Sequence, residues 1–180
     1  MKVPFGKNDH VKFVKSIAIG LKNAKALNRY LELGIREGPC FNVVAPLAEE
    51  AYAVDYKDCY KYISENNNLI WYHGTTVSFL KNHDKSKKFD LVFIDADHKH
   101  ESSLEDFNLV FPLVNDNGLI LLHDTYPTCK KLTVGYCKDS YKTADYIRRN
   151  YFNKCEIVTL PFYYGISIVR KLDRQLLWMK

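Results

Sequence analysis

The sequence predicts one α/β domain, built on a mostly parallel sheet with helices on both faces. Three patterns carry that expectation. Short apolar runs of strand length alternate with segments of helical periodicity. The runs are nearly apolar on both sides, as strands covered on both faces must be. Each of the first five ends in glycine or a polar residue.

The strand candidates are residues 29–33, 51–54, 69–72, 89–94 and 119–122, followed by 156–160 and 166–169. Between them, residues 11–27 place Val11, Val14, Ile17, Ala18 and Leu21 on one helical face. Residues 103–113 do the same with Leu104, Phe107, Val110 and Phe111, and 140–150 is a further helix. Residues 64–68, 81–88 and 115–118 are polar and are expected as loops. Only five residues separate the last two runs. No helix fits there, so they should form an antiparallel hairpin at the sheet edge.

The 180 residues suit a single domain, with 1–28 as an N-terminal helical segment and 29–170 as the core. The +5 net charge is mild, and nothing else in the composition argues for a nucleic-acid partner. No apolar run approaches the roughly 18 residues of a membrane span, and no secretory leader is visible. The five cysteines (Cys40, Cys59, Cys129, Cys137, Cys155) form no CxxC pair. They are expected as reduced thiols of a cytoplasmic protein.

Ligands of open α/β sheets bind at the carboxyl ends of the strands. There the first run leads into Glu32-Leu33-Gly34-Ile35-Arg36-Glu37-Gly38, whose glycines allow a sharp turn and close approach to a ligand. Asp55 ends the second run, and a carboxylate there can accept bonds from a ribose diol. The dinucleotide pattern GxGxxG fails in both registers around Gly34. The fourth run leads into Asp95-Ala96-Asp97-His98-Lys99-His100, and the fifth into His123-Asp124-Thr125. If these strands are neighbours, their ends lie about 5 Å apart. Asp95 and Asp124 could then share a hard cation such as Mg²⁺. His123 is a third ligand, a hydrogen-bond partner or a packed ring. His98 and His100 form an HxH, which alone does not complete a zinc site.

With these residues placed, the chain resembles the class I S-adenosylmethionine-dependent methyltransferases over roughly residues 29–170. Glu32 to Gly38 is similar to the family's first motif, with Glu32, Gly34 and Gly38 at the cofactor. Asp55 is similar to its ribose-binding acid. Gly74, Thr75 and Thr76 match the segment bordering the adenine, where Thr75 replaces the usual acid or amide. The string from Phe89 to Pro127 resembles the branch that methylates hydroxyls of small molecules and sugars, including metal-dependent O-methyltransferases. That resemblance implies a Rossmann-like, seven-stranded sheet with six parallel strands. It implies S-adenosylmethionine as cofactor, with Asp95 at the cofactor and, with His123 and Asp124, at a metal. His123 departs from the Asp-Asp or Asp-Asn pair of some relatives.

The chemistry implied is in-line methyl transfer to an oxygen, with Asp97 or His98 as general base. The partner expected is a small-molecule acceptor. One short helix before the core suggests an open acceptor site or one completed by a second subunit. Residues 125–142 are expected as a lid or acceptor loop. Two further readings are a degenerate binding module and a methyltransferase acting on a macromolecule.

Overall fold

The computed structural model describes residues 9–64 and 68–173. Residues 65–67 of the expected 64–68 loop, and the ends of the chain, lie outside that description. The elements in order are α1 (Asp9–Asn23), β1 (Arg29–Leu33), α2 (Phe41–Val44), β2 (Glu50–Asp55), β3 (Leu69–His73), α3 (Thr76–Asn82) and β4 (Phe89–Ile94). They continue with α4 (His100–Val110), β5 (Val114–His123), α5 (Lys130–Val134), α6 (Tyr141–Asn150), β6 (Cys155–Leu160) and β7 (Ile166–Lys171).

The strands form one seven-stranded sheet in the order β3-β2-β1-β4-β5-β7-β6. β1, β2, β3, β4 and β5 are mutually parallel, and β7 is antiparallel to both β5 and β6. The expected hairpin is therefore present, with β6 on the edge and β7 inside it. Among the described residues no helix is long and apolar enough to cross a membrane.

Strand periodicity explains the two-layer cover. Leu31, Leu33, Val92, Ile94, Ile120 and Leu122 face one side, where Phe79, Phe107, Val110 and Ile147 from α3, α4 and α6 pack on them. Tyr30, Leu91, Phe93 and Leu121 face the other, against Val14, Ala18, Phe41 and Val44 of α1 and α2. Alternate residues of each central strand thus feed separate apolar clusters, and the sheet is dry on both faces.

Among the boundaries that differ from the sequence expectation, such as α1 ending at Asn23 and α3 running to Asn82, two have identifiable reasons. Residues 115–118 belong to β5 instead of a loop. The pairing runs Phe89↔Val114 and then Leu91↔Leu119, so β5 bulges against β4. Asp90 holds this irregularity: its carboxylate accepts from Asn115 Nδ2 (2.6 Å) and from the backbone N–H of Asn28 (2.7 Å) and Arg29 (2.9 Å). α4 starts at His100, before the apolar periodicity begins, because the Asp139 carboxylate accepts from the His100 N–H at 2.8 Å.

The chain runs from β1 to β2 and β3 on one side, then crosses to β4 on the other. The crevice beyond the carboxyl ends of β1 and β4 is the topological switch point, where open α/β sheets bind ligands.

Asp90 ties together three strand starts, so Asp90→Ala should cost roughly 1–3 kcal/mol in urea unfolding. An unchanged midpoint would mean the bulge is held by backbone pairing alone.

Candidate active site

Gly34 ends β1 with φ +90°. A Cβ at this position would lie 2.5 Å from Ala96 Cα and from the Asp95 carbonyl oxygen, so only glycine lets the two turns touch. The contact is fixed by hydrogen bonds from Gly34 N–H to Val54 O and from Asp95 N–H to Leu33 O, both 2.9 Å. The turn closes at Gly38, whose N–H donates to Ile35 O at 2.8 Å.

Asp55 faces that turn from β2. Its Oδ2 accepts from the N–H of Ile35 (2.9 Å) and Arg36 (3.0 Å), and its Oδ1 from the N–H of Lys57 (2.8 Å). The Cys59 thiol lies against the same carboxylate, so Asp55 is held on every side by its own turn and by the start of the next segment. Gly74 N–H donates to Asp55 O at 2.9 Å, which sets the start of α3 beside the same crevice. Thr75 caps α3 by accepting from Ser78 N–H at 3.1 Å. Thr76 turns toward α4, donating to the buried Asp106 carboxylate at 2.5 Å.

Glu32 lies beneath the turn and is only 2% exposed. Burial pushes its carboxyl up to about 8, although Tyr30 O–H donates to it at 2.5 Å. It is therefore mostly protonated at neutral pH.

The carboxyl ends of β4 and β5 carry the densest polar group. Asp124 has φ 59°, a left-handed conformation that Asp tolerates better than most residues. Its Oδ2 is fully buried and accepts no hydrogen bond. His98 Nδ1 lies 2.6 Å from that oxygen as an ion-pair contact and donates to Tyr136 O at 2.6 Å. His98 Nε2 lies 3.8 Å from Asp95 Oδ1. One ligand atom each from Asp95, His98 and Asp124 fall within 4.8 Å of one another.

His123 was expected as a metal ligand, and its two ring nitrogens are taken by oxygens. Nδ1 is 3.0 Å from Asp95 Oδ1 and Nε2 is 2.9 Å from Tyr163 O. Burial lowers its pKa, but Asp95, Asp124 and the Tyr163 carbonyl outweigh that and raise it to about 9. Both nitrogens then carry protons, and His123 stands as a cation beside the two carboxylates. Burial pushes Asp95 up, and His123, His98 and His10 together hold it below the usual carboxylate range. Burial disfavours charge on His98 as well, yet Asp124, Asp95 and the Tyr136 carbonyl raise its pKa.

Asp97 points elsewhere. Lys138 Nζ donates to its Oδ1 at 2.8 Å and Ser102 Oγ to its Oδ2 at 3.0 Å. Partial burial raises its pKa, but these two partners outweigh it and hold the carboxyl low.

Two features escaped the sequence reading. His10, near the start of α1, lies tilted against His123 with ring centroids 4.4 Å apart. The expected lid also proves to be a strap tied to the site. Residues 136, 137, 138, 139 and 140 contact His98, Asp124, Asp97, His100 and the Asp124 carbonyl in turn. Only the length and position of the 125–142 segment signalled the strap. Nothing local signalled His10.

A family described as a methyltransferase domain matches residues 31–125, more than half of the chain. The chain belongs to that family. It is a class I S-adenosylmethionine-dependent methyltransferase. Solved structures agree on the fold. A candidate caffeoyl-CoA O-methyltransferase from Staphylococcus aureus is 17% identical, with TM-score 0.72, covering 94% of this chain and 86% of that one. The SAH-bound methyltransferase PaMTH1 from Podospora anserina is 15% identical, with TM-score 0.69 and coverages of 95% and 89%. Cofactor-bound Rv0187 from MTB is 14% identical, with TM-score 0.71 and coverages of 97% and 84%. No curated protein matches the sequence.

The methyltransferase should show the buried Glu32 in its pH dependence. A carboxyl raised from 4.5 to about 8 stays protonated in the folded chain while the unfolded chain ionises. Its contribution is full below pH ~4.5 and is lost as pH rises toward 8, at up to about 1.4 kcal/mol per pH unit. Glu32→Gln should flatten this decline in urea unfolding between pH 5 and 8. An unaltered slope would place the proton elsewhere.

Proposed function

We propose that this methyltransferase transfers the methyl group of S-adenosylmethionine to a hydroxyl oxygen of a small, hydroxylated or sugar-like acceptor. The observation that carries this reading is the meeting of Asp95, His98 and Asp124 beside the Gly34 turn. Gly34, Gly38 and Asp55 line the cofactor side, with Gly74 and Thr75 at the adenine end, while the Thr76 side chain is turned to Asp106. Glu32 supports the turn from below and Asp95 borders the sulfonium side. S-adenosylmethionine supplies an activated methyl group, so the chain's main task is alignment.

His98 is the general base in this reading. Nδ1 donates to Tyr136 O, so in the neutral ring the lone pair lies on Nε2, which would take the acceptor's hydroxyl proton. Asp97, the other candidate, is held low by Lys138 and Ser102 and is the weaker base.

The residues also fit a divalent cation. The test is the Asp124 Oδ2 atom, buried and without a hydrogen bond, which with Asp95 and His98 offers three ligand atoms within 4.8 Å of one another. Such a cation would lower the acceptor hydroxyl's pKa. Asp95 and Asp124 would hold it, with His98 as the nitrogen donor, since both ring nitrogens of His123 are taken. Mg²⁺ is the ion the resemblance implies, and the carboxylate oxygens suit Mn²⁺ as its paramagnetic substitute.

The direct test uses isotopically labelled methyl donor with a panel of hydroxylated compounds. The expected product carries the label on oxygen. His98→Asn should lower kcat by about 10²–10⁴ with little change in cofactor affinity, and Asp97→Asn by far less. Label on nitrogen or sulfur, or a His98→Asn enzyme of normal kcat, would overturn the assignment. Asp124→Asn should weaken Mn²⁺ binding, followed by electron paramagnetic resonance, roughly tenfold or more.

A further inference from the structure

We propose that the cleft between the start of α4 and α6 binds a phosphoryl group carried by the acceptor, an inference that rests on the methyltransferase reading. The cleft has a volume of about 330 Å³ and is lined by His100, Lys142, Asp145, Tyr146, Arg149 and Asn150. That is room for a phosphate and part of the molecule attached to it, given roughly 30 Å³ for a water.

Its chemistry suits a dianion. Lys142 and Arg149 bring two cations, and Tyr146 and Asn150 bring uncharged polar groups. The charge of Asp145 is already matched, because Arg148 Nη1 donates to its Oδ1 at 2.6 Å. Lys142 shares Asp139 at 3.1 Å, an exposed pair that a stronger anion can displace at little cost. Arg149 makes no ion pair among the described residues. One ring nitrogen of His100 is taken by Thr143 Oγ1 at 2.9 Å, leaving the other for a ligand.

Two facts connect the cleft to the reacting centre. His100 stands two residues beyond His98 on the same turn. Asp139, which binds the His100 N–H, follows Lys138, which holds Asp97. The strap segment 125–142 is also basic: Lys130, Lys131, Lys138 and Lys142 stand against one acid of the segment, Asp139, a local net charge of +3. An acceptor entering past this segment meets positive charge, which favours an anionic molecule.

The experiment titrates inorganic phosphate into the full chain at constant ionic strength, followed by amide chemical shifts. Saturable millimolar binding, with shifts centred on residues 100 and 142–150, is expected. Arg149→Gln and Lys142→Gln should each weaken it roughly tenfold, and Arg149→Lys should restore most of it. Both side chains are exposed, and thermal melts check that the variants remain folded. Absence of saturation, or affinity unchanged in both glutamine variants, overturns the cleft. Among labelled acceptors, phosphate monoesters should show a lower KM than their dephosphorylated forms, and Arg149→Gln should erase the difference. Equal KM values overturn the link to the acceptor. Phosphate binding in a chain that binds no S-adenosylmethionine would leave the cleft standing and sink the methyltransferase reading.

Discussion

The contact between Gly34 and the backbone of Asp95 and Ala96 is the constraint on which the site depends. No side chain can be accommodated there, because a Cβ would sit 2.5 Å from backbone atoms. With that contact made, the ends of β1 and β4 lie side by side at the switch point. The turn then presents the N–H groups of Ile35 and Arg36 to Asp55, which locks the end of β2 to the same crevice. Three strand ends are thereby held by backbone contacts and the Asp55 carboxylate, which leaves the side chains of Asp95 and Asp124 for chemistry.

Bringing carboxylates together at those ends creates an electrostatic problem that the chain solves locally. Asp95 and Asp124 would repel each other in a poorly solvated place. His123 answers as a buried cation between them, with Asp95 Oδ1 at 3.0 Å and Asp124 Oδ2 at 3.7 Å. His98 and the ring of His10, which lies tilted against His123, also help to hold the Asp95 carboxyl low. Glu32, which lies nearby and is buried, is kept mostly protonated. The clustered carboxylates are therefore compensated by the rings around them, with His98 Nδ1 2.6 Å from Asp124 Oδ2.

The strands were legible in the sequence because a sheet buried on both faces demands apolar runs, and their polar ends marked the crevice. Asp55, Asp95 and Asp124 stood out for that reason. What stayed hidden was decided by distant partners. Residues 115–118 look like a loop and become part of β5 through Asp90, 25 positions before Asn115. His10 reaches His123 across the whole core, and no local pattern announces it. Thr76 reads as a cofactor contact in the motif, yet Asp106 of α4 turns it away. The choice between Asp97 and His98 could not be made from spacing. It depends on Lys138, a residue of the strap, which neutralises one of the two.

The central claim is that the crevice at the Gly34 turn holds S-adenosylmethionine. Calorimetric titration of the cofactor into the wild-type chain and Asp55→Ala tests it most directly. The account predicts one saturable site per chain, weakened at least tenfold in the variant by loss of the ribose-facing carboxylate and its grip on the turn. No saturable binding to the wild type, or equal affinity in both, would contradict it.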